Sequence, residues 1–116
     1  MVRANVLMRY YAMKRRSLDP VVSKSNAETA LCEALLALRT VDEMHAFLKD
    51  LTTPAEFEAL ADRWSVVPYL IEGLAYRDIH DLTAVSVTTI GRVARCLAAE
   101  HSGYQLAADR LRRKRK

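Results

Sequence analysis

The chain is poor in the residues that punctuate turns and form covalent staples. In 116 residues it has 3 Gly, 3 Pro and 2 Cys. It also has almost no alternating runs of β-branched residues, which argues against a sheet and makes the expectation all-α. Cys32 and Cys96 lie far apart and form no CxxC pair, so buried or free thiols in a reducing cytoplasm fit better than a disulfide framework. His45, His80 and His101 show no metal-ligand spacing. Cys96 and His101 lie near one another, but two candidate ligands do not make a zinc site, and no cofactor is expected. No apolar run approaches the ~20 residues of a membrane span. Arg9 interrupts the one apolar stretch near the start and no small-residue cleavage site follows, which argues against a signal peptide. No nucleophile–base pair, paired-carboxylate site or glycine-rich phosphate loop is legible, so an enzyme is not expected.

What is present is apolar side chain and unevenly placed charge. Hydrophobic residues make up 51% of the chain, enough for the core of one small domain. The net charge of +4 hides a division. Residues 1–24 carry Arg3, Arg9, Lys14, Arg15, Arg16 and Lys24 against Asp19 alone, and residues 110–116 carry Arg110, Arg112, Arg113, Lys114, Arg115 and Lys116 against no acid. Between 25 and 109 there remain six basic and thirteen acidic side chains, a body of net −7. The expected layout is a basic, flexible arm over 1–24, a helical domain over 25–109 and a basic tail over 110–116. Basic ends of this kind are the electrostatic footprint of nucleic-acid binding, although they also occur as solubilising ends. The arm would lie on phosphate or on a partner subunit, or else be an over-extended start, with Met8 and Met13 as alternative ones.

Helix signals follow in order. Ser25 and Glu28 form a capping box opening a first helix on which Ala27, Leu31, Ala34, Leu35 and Leu38 recur at helical spacing, closed by Arg39. A second box, Thr40 to Glu43, opens a shorter helix with Val41, Met44, Phe47, Leu48 and Leu51 on its apolar side. Thr53 caps a third, Pro54 takes its first position and Glu56 completes the box. Phe57, Leu60, Ala61, Trp64, Val67 and Ile71 then trace one face of what reads as the longest helix, with Pro68 bending it and Gly73 ending it. Ser102 and Gly103 break the chain before a last helix bearing Tyr104, Ala107, Ala108 and Leu111.

The stretch around which the rest is organised is RDIHDLTAVSVTTIGRVARCL, Arg77 to Leu97. Ile79, Val85, Ile90 and Val93 are spaced so that one short helix packs across the next, with small Ala84 at the turn, which predicts a helix-turn-helix over about 76–98. Ser86 is placed to cap the second helix from Val87, its hydroxyl accepting from the N–H of Thr88 or Thr89. In such a unit the second helix lies in the major groove with its N-terminal residues against base edges. A threonine there can hydrogen-bond several bases and meet the methyl of thymine. The candidate DNA-contacting residues are Arg77, Ser86, Val87, Thr88, Thr89, Gly91, Arg92 and Arg95. Arg77, Arg92 and Arg95 are half the basic residues of the acidic body. Alanine at a turn that takes positive φ costs on the order of 1 kcal/mol, so Ala84 strains the turn or reshapes it. Several short helices with wide apolar faces would leave some of them wet in a monomer, so a homodimer is expected, offering two reading helices to two half-sites of duplex DNA.

The order of elements, TPAEFEALADRWSVVPYLIEG leading into YRDIHDLTAVSVTTIGRVARCL, resembles the Trp repressor superfamily and within it the YerC/YecD branch, over roughly residues 27–100. The carrying motifs are the Thr-Pro start, the EAL and Arg63 of the long helix, its Gly end, and the T-T-I-x-R of the reading helix. The resemblance implies an intertwined all-helical homodimer whose helix-turn-helix units stand apart as heads. It also implies that Arg77 contacts phosphate, that Val87, Thr88, Thr89 and Gly91 lie at or near the bases, and that Thr53, Arg63 and Arg92 match the places where the repressor holds its amino-acid effector. Val93 stands where the repressor has glycine and Cys96 replaces a serine, so the pocket looks filled and tryptophan is not the expected effector. Ala84 replaces the turn glycine, and Gly91 stands where the branch often has serine. The expected function is a cytoplasmic, sequence-specific transcriptional regulator. The rival is a helical protein–protein interaction module with solubilising basic tails.

Overall fold

A computed structural model describes residues 20–115 of the chain. It holds six helices: α1 (Pro20–Ala37), α2 (Val41–Leu51), α3 (Pro54–Ile71), α4 (Tyr76–Thr83), α5 (Val87–Ala98) and α6 (Gly103–Arg115), with no strand among the described residues. The basic residues from Arg3 to Arg16, and with them most of the expected arm, lie outside the described residues. The described residues divide into two compact units, one ending at Phe47 and the other beginning at Leu48.

In the first unit α1 begins at Pro20, five residues before the expected start, so Ser25 and Glu28 lie inside the helix and do not cap it. The physical reason is permissive: Ser23 to Asn26 contain no glycine or proline, and each polar residue there costs a helix only a few tenths of a kcal/mol. A proline also fits a first helical position, where φ near −65° is already set. The helix ends at Ala37, before Arg39, and its 18 residues equal those of α3, so α3 is not longer than every other helix. Thr40 caps α2 through its Oγ1, which accepts from the N–H of Glu43 at 3.1 Å. The reciprocal arm is shifted by one residue, because the Glu43 carboxylate accepts from the N–H of Arg39 at 2.8 Å and not from that of Thr40.

The second unit is built on α3. Its start has both halves of the box: the Glu56 N–H donates to Thr53 Oγ1 at 3.2 Å and the Thr53 N–H donates to the Glu56 carboxylate at 2.8 Å. That backbone donor first, and the hydroxyl contact second, hold the Glu56 carboxyl below its ordinary range. Beyond Pro68 the helix continues to Ile71 and closes with a Schellman pattern. Leu74 N–H donates to the Tyr69 carbonyl at 3.1 Å, Gly73 N–H to that of Leu70 at 3.0 Å, and Gly73 sits at φ 84°, the left-handed region that glycine enters without penalty.

The core of this unit is Val66, Val67, Ile79, Val85, Ile90 and Val93, each buried. Trp64, Tyr69, Leu70, Leu74, Leu97, Tyr104 and Ala108 pack around it, with Trp64 and Tyr104 stacked at 6.3 Å between ring centres. Each fully buried aliphatic side chain contributes roughly 1.5–3 kcal/mol. The expected apolar face of α3 needs two corrections. Val66, which it omitted, is wholly buried, and Leu60 and Ile71, which it included, are each 42% exposed. Because α4 and α5 both pack on α3, burial spreads over two adjacent positions, Val66 and Val67, while parts of the apolar stripe stay exposed.

Candidate nucleic-acid interface

The turn between α4 and α5 is three residues, Ala84, Val85 and Ser86. Ala84 adopts φ 64° and ψ 6°, the left-handed conformation that ends α4, so the turn is strained by on the order of 1 kcal/mol and keeps the glycine geometry. Val85 then drops into the core, and Ser86 Oγ accepts from the N–H of Thr89 at 3.1 Å, which starts α5 at Val87 as its sequence indicates. Ile79, Val85, Ile90 and Val93 lock the two helices against Val66 and Val67 of α3. The two short helices therefore form a self-packed helix-turn-helix carried on a longer scaffold helix.

With Ile90 and Val93 turned inward, the opposite side of α5 is open. Val87, Thr88, Arg92, Arg95 and Cys96 are exposed or half-exposed, Gly91 and Thr89 half-buried. The threonines differ in chemistry. The Ser86 hydroxyl donates to Thr89 Oγ1 at 3.0 Å, so Thr89 is partly engaged in the cap. No hydrogen bond within the described residues uses the Thr88 hydroxyl, which leaves it a donor and an acceptor for a ligand. Gly91 opens space on this face: an added Cβ would lie 3.6 Å from Arg95 Nη1 and 3.8 Å from the Tyr76 ring, so the Arg95 guanidinium folds back along the helix over the glycine.

Arg77, exposed at the second position of α4, makes no ion pair among the described residues. A cation in a first helical turn is disfavoured by the macrodipole, so its placement brings the helix no stability. The α4 cap residue, Ala75, supplies no side-chain acceptor, which leaves first-turn N–H groups beside Arg77 without a cap partner. That combination suits an oxyanion such as phosphate. Arg92 and Arg95 add two more cations on α5, opposed by Asp78 and Asp81 on α4.

The residues matched to an effector site lie on two helices, with Thr53 at the cap of α3, Arg63 within it and Arg92 on α5. Thr53 spends its hydroxyl on the α3 cap, and Arg63 lies ten positions further along the same helix, about 15 Å at 1.5 Å per residue. Arg63 is half-buried and Arg92 exposed on α5. Val93, at 1% exposure, is part of the core. Cys32 and Cys96 are both free and exposed. Among the described residues no group of three or more His, Cys, Asp or Glu could hold a metal ion, and no helix is long and apolar enough to cross a membrane.

Sequence reading missed two hydrogen bonds that brace the turn. His80 Nδ1 lies 2.8 Å from the Val85 carbonyl, and Thr83 Oγ1 accepts from the Val85 N–H at 3.1 Å. Both residues sit in the last turn of α4, and a polar side chain just before a turn was the available signal.

A helix-turn-helix on an all-α scaffold defines the class, and the comparisons give the family. The model of the family described as Trp repressor protein matches residues 27–112, so the chain belongs to the Trp repressor family. YerC of Bacillus subtilis (strain 168), described as uncharacterized, is 38% identical over 82 residues, covering 71% of this chain and 79% of that protein. The crystal structure of a TrpR-like protein from Eubacterium eligens ATCC 27750 superposes with a TM-score of 0.70 at 36% identity, over 74% of this chain and 89% of the other. The family match extends past residue 100, where the resemblance in sequence stops, and takes in most of α6.

Proposed function

We propose that the protein is a sequence-specific DNA-binding transcriptional regulator, acting in the cytoplasm as a homodimer and without catalysis. The observation that carries this reading is the open side of α5, where Thr88, Arg92 and Arg95 face solvent while Ile90 and Val93 anchor the helix. The first turn of α5, from Ser86 and Val87 through Thr89 to Gly91, meets base edges; Arg92 and Arg95 follow further along. Arg77 and the uncapped start of α4 meet phosphate. Residues 1–24 and the cationic end from Arg110 add salt-dependent affinity around an acidic body over 25–109.

Exposed apolar surface supports the dimer. Leu36 and Val41 are 85% and 83% exposed, and Leu31, Leu51, Leu60, Leu106 and Leu111 are also open. In the second unit an open groove of about 450 Å³ runs past Leu70, Ile71, Leu74, Tyr76 and Leu97. Apolar surface of this extent is what an intertwined second copy covers, as the family membership leads one to expect. Tryptophan is not the expected effector: Val93, 1% exposed in the core, stands where the resemblance puts a glycine beside the ligand, and Cys96 offers no strong acceptor for an amino group.

The test is binding to duplex DNA across a salt series, with random duplex and with duplex selected from a random pool. Affinity should fall steeply with salt. Thr88→Ala should weaken binding to selected duplex by ~1–3 kcal/mol and hardly affect random duplex, while Arg77→Ala should weaken both and reduce the salt slope by ~1. Absence of binding at any salt would leave the interaction-module reading in its place.

A further inference from the structure

The left-handed alanine of the turn needs something to hold it, and the last turn of α4 supplies it. The Ala84 N–H donates to the His80 carbonyl at 2.8 Å. The next peptide units are held by side chains. Thr83 Oγ1 donates to the Ile79 carbonyl at 2.7 Å and accepts from the Val85 N–H at 3.1 Å, and His80 Nδ1 reaches the Val85 carbonyl at 2.8 Å. A carbonyl oxygen only accepts, so Nδ1 carries the proton and the neutral ring is the Nδ1–H tautomer. Both polar groups of Val85 are thus bound by α4, its side chain is in the core, and the residue after it is the cap of α5.

We propose that His80 and Thr83 form a side-chain clamp that takes over the role of a turn glycine, fixing the direction in which α5 leaves the turn. They are positioning residues for DNA reading, although neither lies on the exposed side of α5. The inference rests on the DNA-reading proposal for its functional half only. Without the clamp, Ala84 can relax toward ordinary helical φ, which carries Val85 out of register and swings the α5 cap with it. A glycine at this position has no such tendency. The clamp and residue 84 are therefore energetically coupled, which independent positions are not.

The experiment is a cycle in the full chain: His80→Ala and Thr83→Val, each alone and together, in the unmodified background and in the Ala84→Gly background. Thr83→Val alone keeps side-chain volume and serves where the double variant does not fold. The readouts are affinity for selected and random duplex at fixed salt, urea unfolding, and the His80 tautomer by 15N NMR. The clamp predicts roughly tenfold weaker binding to selected duplex when alanine occupies the turn, less than threefold in the Ala84→Gly background, and less than twofold on random duplex in either. It also predicts an Nδ1–H ring in the unmodified protein. Equal loss in both backgrounds, or an Nε2–H ring, would overturn it. If the unmodified protein does not distinguish the two duplexes, the DNA reading fails, and coupling in urea unfolding together with the tautomer still decides the clamp.

Discussion

Gly91 separates stability from reading, because it sits in the interior of α5 and on its open side at once. A glycine inside a helix costs roughly 0.5–1 kcal/mol relative to alanine. The nearest atoms to an added Cβ, Arg95 Nη1 at 3.6 Å and the Tyr76 ring at 3.8 Å, are at ordinary contact distance, so nothing needs to move. Gly91→Ala should therefore stabilise the chain by about 0.5–1 kcal/mol, which at about 3–6 °C per kcal/mol is a rise in Tm of a few degrees. The same methyl stands where α5 would approach base edges, so affinity for selected duplex should fall while random-duplex affinity holds. Urea unfolding and thermal melts at one fixed protein concentration measure the first effect, and duplex titration the second. A loss of stability of about 0.5 kcal/mol or more, against the gain expected from helix propensity, would refute the open geometry at residue 91; unchanged selected-duplex affinity would remove the glycine from the reading surface.

Further outcomes follow from the same structure. Thr53→Ala removes the α3 cap and should destabilise by ~1 kcal/mol in urea unfolding, since threonine caps lose about that much when truncated. The depressed carboxyl of Glu56 stabilises the fold above the pKa it has in the unfolded chain, and that contribution is lost as pH falls through its lower folded value; Glu56→Gln should flatten this acid limb in a pH series of unfolding midpoints. Ile90→Ala truncates a fully buried side chain shared by α3, α4 and α5 and should cost about 2–5 kcal/mol, seen as collapse of the helical signal on mild heating. Leu36→Asp, at a site open to solvent in the single chain, should leave monomer helicity intact and shift sedimentation from dimer to monomer; an unchanged dimer would take Leu36 out of the interface.

The local signals were legible because they are local. Thr53 with Pro54 and Glu56, Ser86 three before Thr89, and Gly73 after Ile71 each act within one helical turn, and the chain obeys them. The Ser25–Glu28 box obeyed the same rule and was wrong, since nothing in the sequence between them and Pro20 stops a helix already begun there. Burial was half legible. Periodicity marks which side of a helix is apolar, but not which neighbour arrives to cover it, so Val66 was missed while Leu60 and Ile71, read as part of the buried face, are 42% exposed. The open side of α5 could be read by subtraction once Ile90 and Val93 were assigned inward. The His80 and Thr83 contacts had only a weak signal, polar side chains just before the turn, because which peptide group each one meets depends on how Val85 leaves the reversal at Ala84.

The most direct measurement is a 15N–1H titration of the labelled protein with a short duplex at two salt concentrations. If α5 is the reading helix, the amide shifts that persist at the higher salt cluster at Tyr76, Arg77, Ser86 to Thr89, Gly91, Arg92 and Arg95, while buried Ile79, Ile90 and Val93 move little. Shifts confined to α1, α2 or the end of α6, with Thr88 and Arg92 unmoved, would contradict the account.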